Sequence, residues 1–587
     1  MPRFYIRCWL LACLIVPLPA ANAVTPLPNS ERVAIGKAEP FCDQAVASDW
    51  RKAQEIERVK IQESEVCSPD NPNDIAVFVK GTNNVSMDTL METNIGFDAI
   101  EKKDDVDGDG DPDHIIIRLE IVELNGHSPD FPGLVPTYDI APGIQPGFWV
   151  FAPKTRDMST NGYASIQANP TLRVPSPPIR VEQGDDVELI LENSHYFPHS
   201  IHLHGVDHPF MDHSGEGNDG VGQTSAMDVM PGEKKTYRIH ARQAGSMYYH
   251  CHVQPHVHIP MGLQGLFIVE ENRPNNWVQT FNIGAGQVRH PSVAVLEQYN
   301  REYDLHYQSA DKELHGLIQK YNDPRLIAWA VNQQYDSTDA TDDYFMLNGR
   351  AFPYTLRESL LIADKDQKIK LRILNGHTET LALHIHGHKP TATHYDGVDN
   401  GPSGRITRDV HAMTPAQRLD LEIDTTNDGL HSFGSGVWMF HDHTEKAFTT
   451  DGMAEGGSLS LVVYKDYVQP DGSVTLHGSD LTPFFTKEFW QRRYPVWQDW
   501  DKSNSLGMPT GLVPQPVAAA QPGAASSAEI RLGLAPATPA PGTAAVATKT
   551  DDSSPITNLI FGILLGLGAY FGYGELQRRK LLPTKIQ

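Results

Sequence analysis

The stretch Val187-Glu188-Leu189-Ile190-Leu191-Glu192-Asn193, followed by Ser194-His195-Tyr196-Phe197-Pro198 and then His199-Ser200-Ile201-His202-Leu203-His204-Gly205, decides the fold. Its first half, like Ile179-Arg180-Val181-Glu182 just before it, alternates or clusters apolar residues between Gly, Asp and Pro turns, the pattern of a β-sandwich. The same order recurs downstream: Ile369-Lys370-Leu371-Arg372-Ile373-Leu374-Asn375 repeats 187–193, and His384-Ile385-His386-Gly387 repeats His202-Leu203-His204-Gly205. Two homologous sandwiches are implied, so the predicted class is mainly β.

Four histidine pairs are spaced by two: His202/His204, His250/His252, His384/His386 and His441/His443. In a strand, residues i and i+2 share a face, so each pair presents two imidazoles to one side. Eight imidazoles on four strands can surround a metal cluster. Cys251 lies between His250 and His252, and the same pleat sends its sulfur to the opposite face, toward His199, His256 and Met261. Two imidazoles, a thiolate and a weak axial thioether are the ligands of a blue copper site. Tetrahedral zinc is the alternative, but zinc usually recruits more cysteines and gains little from methionine.

These motifs resemble the multicopper oxidases in their form with two cupredoxin domains. His199-Ser200-Ile201-His202-Leu203-His204-Gly205 is similar to H-x-x-H-x-H-G, and His250-Cys251-His252 with His256 and Met261 to H-C-H-x3-H-x4-M. Asp219-Gly220-Val221 through Pro231-Gly232 and Tyr237 also resembles the family, and the likeness covers roughly 165–467. It implies two cupredoxin-like Greek-key sandwiches and four coppers per chain. Type 1 copper would sit on His199, Cys251, His256 and Met261, and type 2 on His202 and His384. The type 3 pair would sit on His204, His250, His252, His386, His441 and His443. In the second repeat the type 1 positions become Leu381, Asp442 and Ala447, with Met453 near its place, so that repeat keeps cluster ligands only.

The implied reaction is one-electron oxidation of a reductant coupled to four-electron reduction of O2 to water. Asp396, in His394-Tyr395-Asp396-Gly397, stands where the family places an acid near the type 2 copper and is assigned proton delivery, with Asp219 as its counterpart. Two-domain members share each cluster between neighbouring subunits, which implies a homotrimer closed by head-to-tail interfaces. The alternatives are a copper nitrite reductase-like enzyme, against which His252 argues, and a non-enzymatic copper-binding protein, against which the scattered methionines argue. The reductant is read as a metal ion, Cu(I), Mn(II) or Fe(II), or a phenol. Asp207, His208, Asp212, His213, Glu216 and His258 form a candidate metal-substrate site near the type 1 edge.

The 587 residues divide around these motifs. Residues 1–23 read as a secretory signal, with Arg3, Arg7, an apolar stretch and Ala21-Asn22-Ala23. Residues 24–165 form an N-terminal region, 166–275 the first cupredoxin domain, 276–343 a helical linker, and 344–467 the second domain. An Ala/Pro-rich tail at 468–554 leads to a transmembrane anchor at 555–575 and a cytoplasmic tail at 576–587 that carries Arg578-Arg579-Lys580. The catalytic domains are then exported and membrane-anchored, on the periplasmic or extracellular side.

In an oxidising compartment Cys42 and Cys67 would pair, leaving Cys251. Within the N-terminal region Asp105, Asp107, Asp109 and Asp111 match the first half of a calcium loop, but Ile116 stands where an EF-hand needs Glu. The formal charge is −25, and −27 without Arg3 and Arg7, which argues against nucleic acid as a partner.

Overall fold

The computed structural model describes residues 99–126, 138–154, 173–272, 299–321 and 323–468, with short pieces outside them. The segment read as a signal at 1–23, Cys42 and Cys67, most of 468–554, and the segments read as an anchor and a cytoplasmic tail at 555–587 lie outside the described residues. Among those described, no helix is long and apolar enough to cross a membrane.

The first sandwich faces a four-stranded sheet against a five-stranded one. The smaller sheet runs Ile179–Glu182, Gln264–Glu270, Gly245–His250, His202–His204. The larger runs Ile100–Lys103, His114–Leu124, Asp186–Glu192, Lys234–His240, with Phe148–Pro153 paired to His114–Leu124. Three of its strands come from the N-terminal region, so the boundary expected at 165 does not separate two folds. His114-Ile-Ile-Ile-Arg-Leu-Glu-Ile-Val-Glu-Leu124 is buried at ten of its eleven positions and pairs in parallel with Asp186–Glu192. Seven of its residues are apolar, and its buried Arg118, Glu120 and Glu123 are partnered by Glu101, Ser194 and Trp149, as a strand covered on both faces requires.

The second sandwich repeats this plan. Lys368–Gly376 pairs in parallel with the eleven-residue strand Arg301–Asp311, within an eight-stranded sheet. The opposing five-stranded sheet holds Leu381–Ile385 and Val437–Asp442, antiparallel neighbours that carry His384 and His441, with His386 and His443 one residue beyond their ends. The linker expected over 276–343 therefore supplies the second sandwich's leading strand as well as two helices. Lys312–Lys320 and Pro324–Gln333 are N-capped by Asp311 and Asp323, whose side chains accept from the amides of Glu313 and Arg325. Their apolar faces bury Leu314, Leu317, Ile318, Ile327, Ala330 and Val331 in the core of the first sandwich.

Alternation along Arg301–Asp311 sends Tyr303, Leu305 and Tyr307 into the second core. The opposite face meets the first domain. Arg180 pairs there with Glu270 at 2.7 Å, Glu302 at 3.1 Å and Asp304. Arg372 pairs with Glu302 and with Asp420 at 3.2 Å, and all six side chains are buried.

Candidate metal centre

The strand Gly245–His250 ends at the histidine before Cys251, and the chain then turns. Gln254 takes φ +41°, and Pro255 opens a single helical turn, Pro255–His258. A helix rotates about 100° per residue, so His256 and His258 leave it on nearly opposite sides. His258 turns inward and is 2% exposed, whereas His256 is exposed. Cys251 Sγ lies 3.4 Å from His258 Nδ1 and 3.6 Å from His199 Nδ1, and the Ser200 amide donates to the sulfur at 3.5 Å. The group that could hold a metal here is thus His199, Cys251 and His258, with His258 where the spacing had pointed to His256, because the strand spacing assumed beyond Cys251 gives way to this helical turn. Met261 is buried in the same core cluster.

The donor set fits copper. Separations of 3.4 and 3.6 Å match the edges of a coordination shell with bonds of about 2.0–2.3 Å. Burial pushes the Cys251 thiol up to about 12, so only a bound cation would make it a thiolate. Burial also lowers His258 to about 3 and His199 well below its ordinary value, which keeps both imidazoles neutral and able to bind metal.

On the other face of the strand, His202, His204, His250 and His252 form a quartet. Ring centroids are 5.2 Å apart for His202 and His204, 5.0 Å for His204 and His250, and 5.4 Å for His202 and His252. His202 Nδ1 donates to the Asp219 carbonyl at 2.7 Å and His250 Nδ1 to the Cys251 carbonyl at 2.9 Å, which leaves each Nε2 as the metal-binding lone pair.

The second repeat forms its own quartet. His384 lies 4.7 Å from His386 and 5.7 Å from both His441 and His443, centroid to centroid. His384 Nδ1 donates to the Asp409 carbonyl and His441 Nδ1 to the Asp442 carbonyl, both at 3.0 Å. His386 and His443 are exposed. Among the described residues, the ring contacts of these eight histidines with one another all fall within a quartet.

Asp409, by its carbonyl, is the geometric counterpart of Asp219, a role the sequence reading gave to Asp396. Asp396 instead sits at a turn with φ +50° and pairs with Arg418 at 3.1 Å. Its field and that of Arg418 both reach His204, in the first quartet. The Asp219 carboxylate lies 3.3 Å from His202 Nδ1.

The candidate substrate site does not assemble. Asp212 is tied to Arg238 at 2.6 Å, Asp207 pairs with Arg242, and His258 belongs to the sulfur site. His208 groups with His202 and Asp219. In the acidic loop, the carboxylates of Asp105, Asp107 and Asp113 converge, while Asp109 and Asp111 are buried. Burial with Asp111 and Asp107 pushes Asp109 up to about 11.

In the second repeat the type 1 positions hold no ligand set. Leu381, Asp442 and Ala447 are buried there, and Asp442 Oδ1 accepts from the amides of Ala382 and Thr444, both at 2.9 Å.

Family models described as multicopper oxidase match residues 161–274 and 327–456. A copper resistance protein A homolog from Pseudomonas syringae pv. tomato is 31% identical over 84 residues, 14% of this chain and 14% of its own length. The multicopper oxidase mco of Staphylococcus haemolyticus is 22% identical over 276 residues, 46% of this chain and 50% of its own. This chain therefore spans between a seventh and a half of these relatives. The solved blue copper oxidase from Nitrosomonas europaea overlays with a TM-score of 0.43 at 22% identity, covering 65% of this chain and 95% of that one. One matched segment lies on each sandwich and each contains two of the histidine pairs, so both repeats carry domains of the multicopper oxidase family, whose cofactor is copper.

Proposed function

We propose that this protein is a copper-dependent oxidase with O2 as acceptor. Bound at His199, Cys251 and His258, copper would supply one-electron oxidation of a reductant, with Met261 of the same core as the candidate thioether, and bound at the paired histidines it would supply the four-electron reduction of O2 to water. The observation that carries this reading is the Cys251 sulfur within 3.6 Å of two neutral imidazoles while its sequence neighbours His250 and His252 sit in a quartet. One residue of backbone then joins the sulfur to each cluster histidine. The carbonyls of Asp219, Cys251, Asp409 and Asp442 orient the imidazoles. The Asp219 carboxylate beside His202, and Asp396 beside the first quartet, are the acidic groups placed to pass on the protons that oxygen reduction consumes.

In this reading His202 and His384 take the type 2 copper, and His204, His250, His252, His386, His441 and His443 take the type 3 pair. Four coppers per chain and a homotrimer belong to the same proposal. Among the described residues no ring contact joins a histidine of one quartet to a histidine of the other, and the second quartet exposes His386 and His443, which supports completion by a neighbouring subunit in a closed ring. Export and a C-terminal anchor are retained from the sequences of 1–23 and 555–575. The reductant is a metal ion, Cu(I), Mn(II) or Fe(II), or a phenol.

The test is copper analysis with oxygen uptake on copper-loaded protein, using those four reductants. Four coppers per chain and reductant-dependent uptake are expected. Two coppers with nitrite reduction would replace the reading with a reductase, and variable loading without uptake would replace it with a copper store.

A further inference from the structure

Both imidazoles beside Cys251 are covered: His199 is 0% exposed and His258 2%. Trp149, from the strand Phe148–Pro153, packs its ring edge-on to His258 at 5.3 Å and to His199 at 6.4 Å, and is itself 1% exposed. The helices Lys312–Lys320 and Pro324–Gln333 close the same core. Gln254 Nε2 donates to Asn332 Oδ1 at 3.1 Å, tying the turn that carries His258 to the second helix. An external reductant has no ligand edge to touch, so its electron must cross an intervening side chain.

One contact leads outward from a ligand nitrogen. His195 Nδ1 lies 2.8 Å from His199 Nε2, the nitrogen of His199 that faces away from the sulfur. The His195 ring packs against Tyr196 with centroids 3.9 Å apart and planes tilted by 34°, and Tyr196 is partly exposed. The Tyr196 hydroxyl donates to Glu123 Oε2, which also accepts from Trp149 Nε1 at 3.1 Å. Buried Glu123 stands 4.0 Å from His195 Nε2 and so braces both members of the pair. The competing outward ring, Phe197, is 6.3 Å from His258.

We propose that the contact of Tyr196 with His195, and of His195 with His199, is the route by which electrons reach the type 1 centre, with Glu123 as the positioning residue that holds it. The proposal rests on reading His199, Cys251 and His258 as that centre. One electron leaves an outer-sphere reductant and reduces Cu(II) to Cu(I). No covalent bond forms or breaks and no proton moves. The N-terminal strands, which supply Glu123 and Trp149, thereby acquire a role in the reaction.

The test is anaerobic stopped-flow reduction of the blue band in the copper-loaded full chain by ferrocyanide, with copper content and reduction potential measured alongside. Tyr196→Leu should slow reduction about tenfold or more, the scale on which partners of metal-ligating histidines act, at unchanged copper content and potential. Trp329→Ala, an aromatic 50% exposed on the covering helix Pro324–Gln333, should leave the rate as it is. An unchanged rate in Tyr196→Leu, or an equal loss in Trp329→Ala, overturns the route. If Tyr196→Leu does not load copper, His195→Leu breaks the same path from its inner end and is read by the same rate and potential. A wild-type protein with no blue band would instead sink the type 1 reading beneath the proposal.

Discussion

The two sandwiches orient their metal histidines with the same bonds and differ in the pocket behind them. His202 donates to the Asp219 carbonyl at 2.7 Å and His384 to that of Asp409 at 3.0 Å; His250 and His441 each donate to the carbonyl of the next residue, at 2.9 and 3.0 Å. Behind the strand, the first repeat has a thiol that accepts the Ser200 amide, and the second has a carboxylate that accepts the Ala382 amide. Asp442 has taken over the strand-to-strand tie that Cys251 makes. Even the histidine four residues upstream is kept, with His195 beside His199 and His377 Nδ1 3.5 Å from Asp442 Oδ2. Pleat and backbone carbonyls set the cluster side, so it survives the replacement of the cysteine and of both histidines behind it by Asp442, Leu381 and Ala447.

The sharpest way to break this comparison is to remove the sulfur. Cys251→Ser should abolish the blue absorption and oxidase turnover while copper analysis still finds metal on the histidine quartets. A variant that stays blue would show that the sulfur site is misassigned. Next in size, His258→Ala should lose the blue band and His256→Ala should keep it, read by visible absorption and electron paramagnetic resonance. The reverse result would restore the strand spacing beyond Cys251. His441→Ala, confined to the second repeat, should keep the blue band and lose oxygen uptake, since the two pockets are separate.

Smaller effects concern the tie itself. Asp442→Ala leaves two partly buried amides without their acceptor and should destabilise the fold by about 1–3 kcal/mol in all, measured by denaturant unfolding. Burial raises the Asp442 carboxyl above its ordinary value. The folded state therefore holds a proton that the unfolded chain has lost, and this group's contribution to stability falls as pH rises above about 4. Asp442→Asn should flatten that slope. The acidic loop before His114–Leu124 has the same sign. With Asp109 pushed up to about 11, stability should fall as pH rises from about 4 in chelator, and added calcium should reduce the fall in thermal melts. An unchanged slope would separate the loop from cation binding.

What could be read from the chain follows from where local geometry governs. The histidine pairs and the repeated apolar runs obey the strand period and fall where that period puts them. His258 was masked because Pro255, a residue suited to the first turn of a helix, ends the strand spacing five residues after His250. The leading strands His114–Leu124 and Arg301–Asp311 carry no metal motif, and their parallel partners lie more than sixty residues downstream. Only long-range pairing assigns them to the sandwiches. Asp409 was hidden for another reason: it acts through its carbonyl, which every residue type possesses.

The charged layer between the sandwiches sets how this chain can be divided. Arg180 belongs to the first sandwich, yet Glu302 and Asp304, two of its three carboxylate partners, stand on the leading strand of the second. Cutting the chain between 272 and 299 would hand each half a set of desolvated charges stripped of its complement, and losing one partner of a buried pair costs about 3–5 kcal/mol. A functional chimera with a related oxidase would have to carry Arg180, Glu302, Asp304, Arg372 and Asp420 across as one block, so the two halves are units of repetition without being units of exchange.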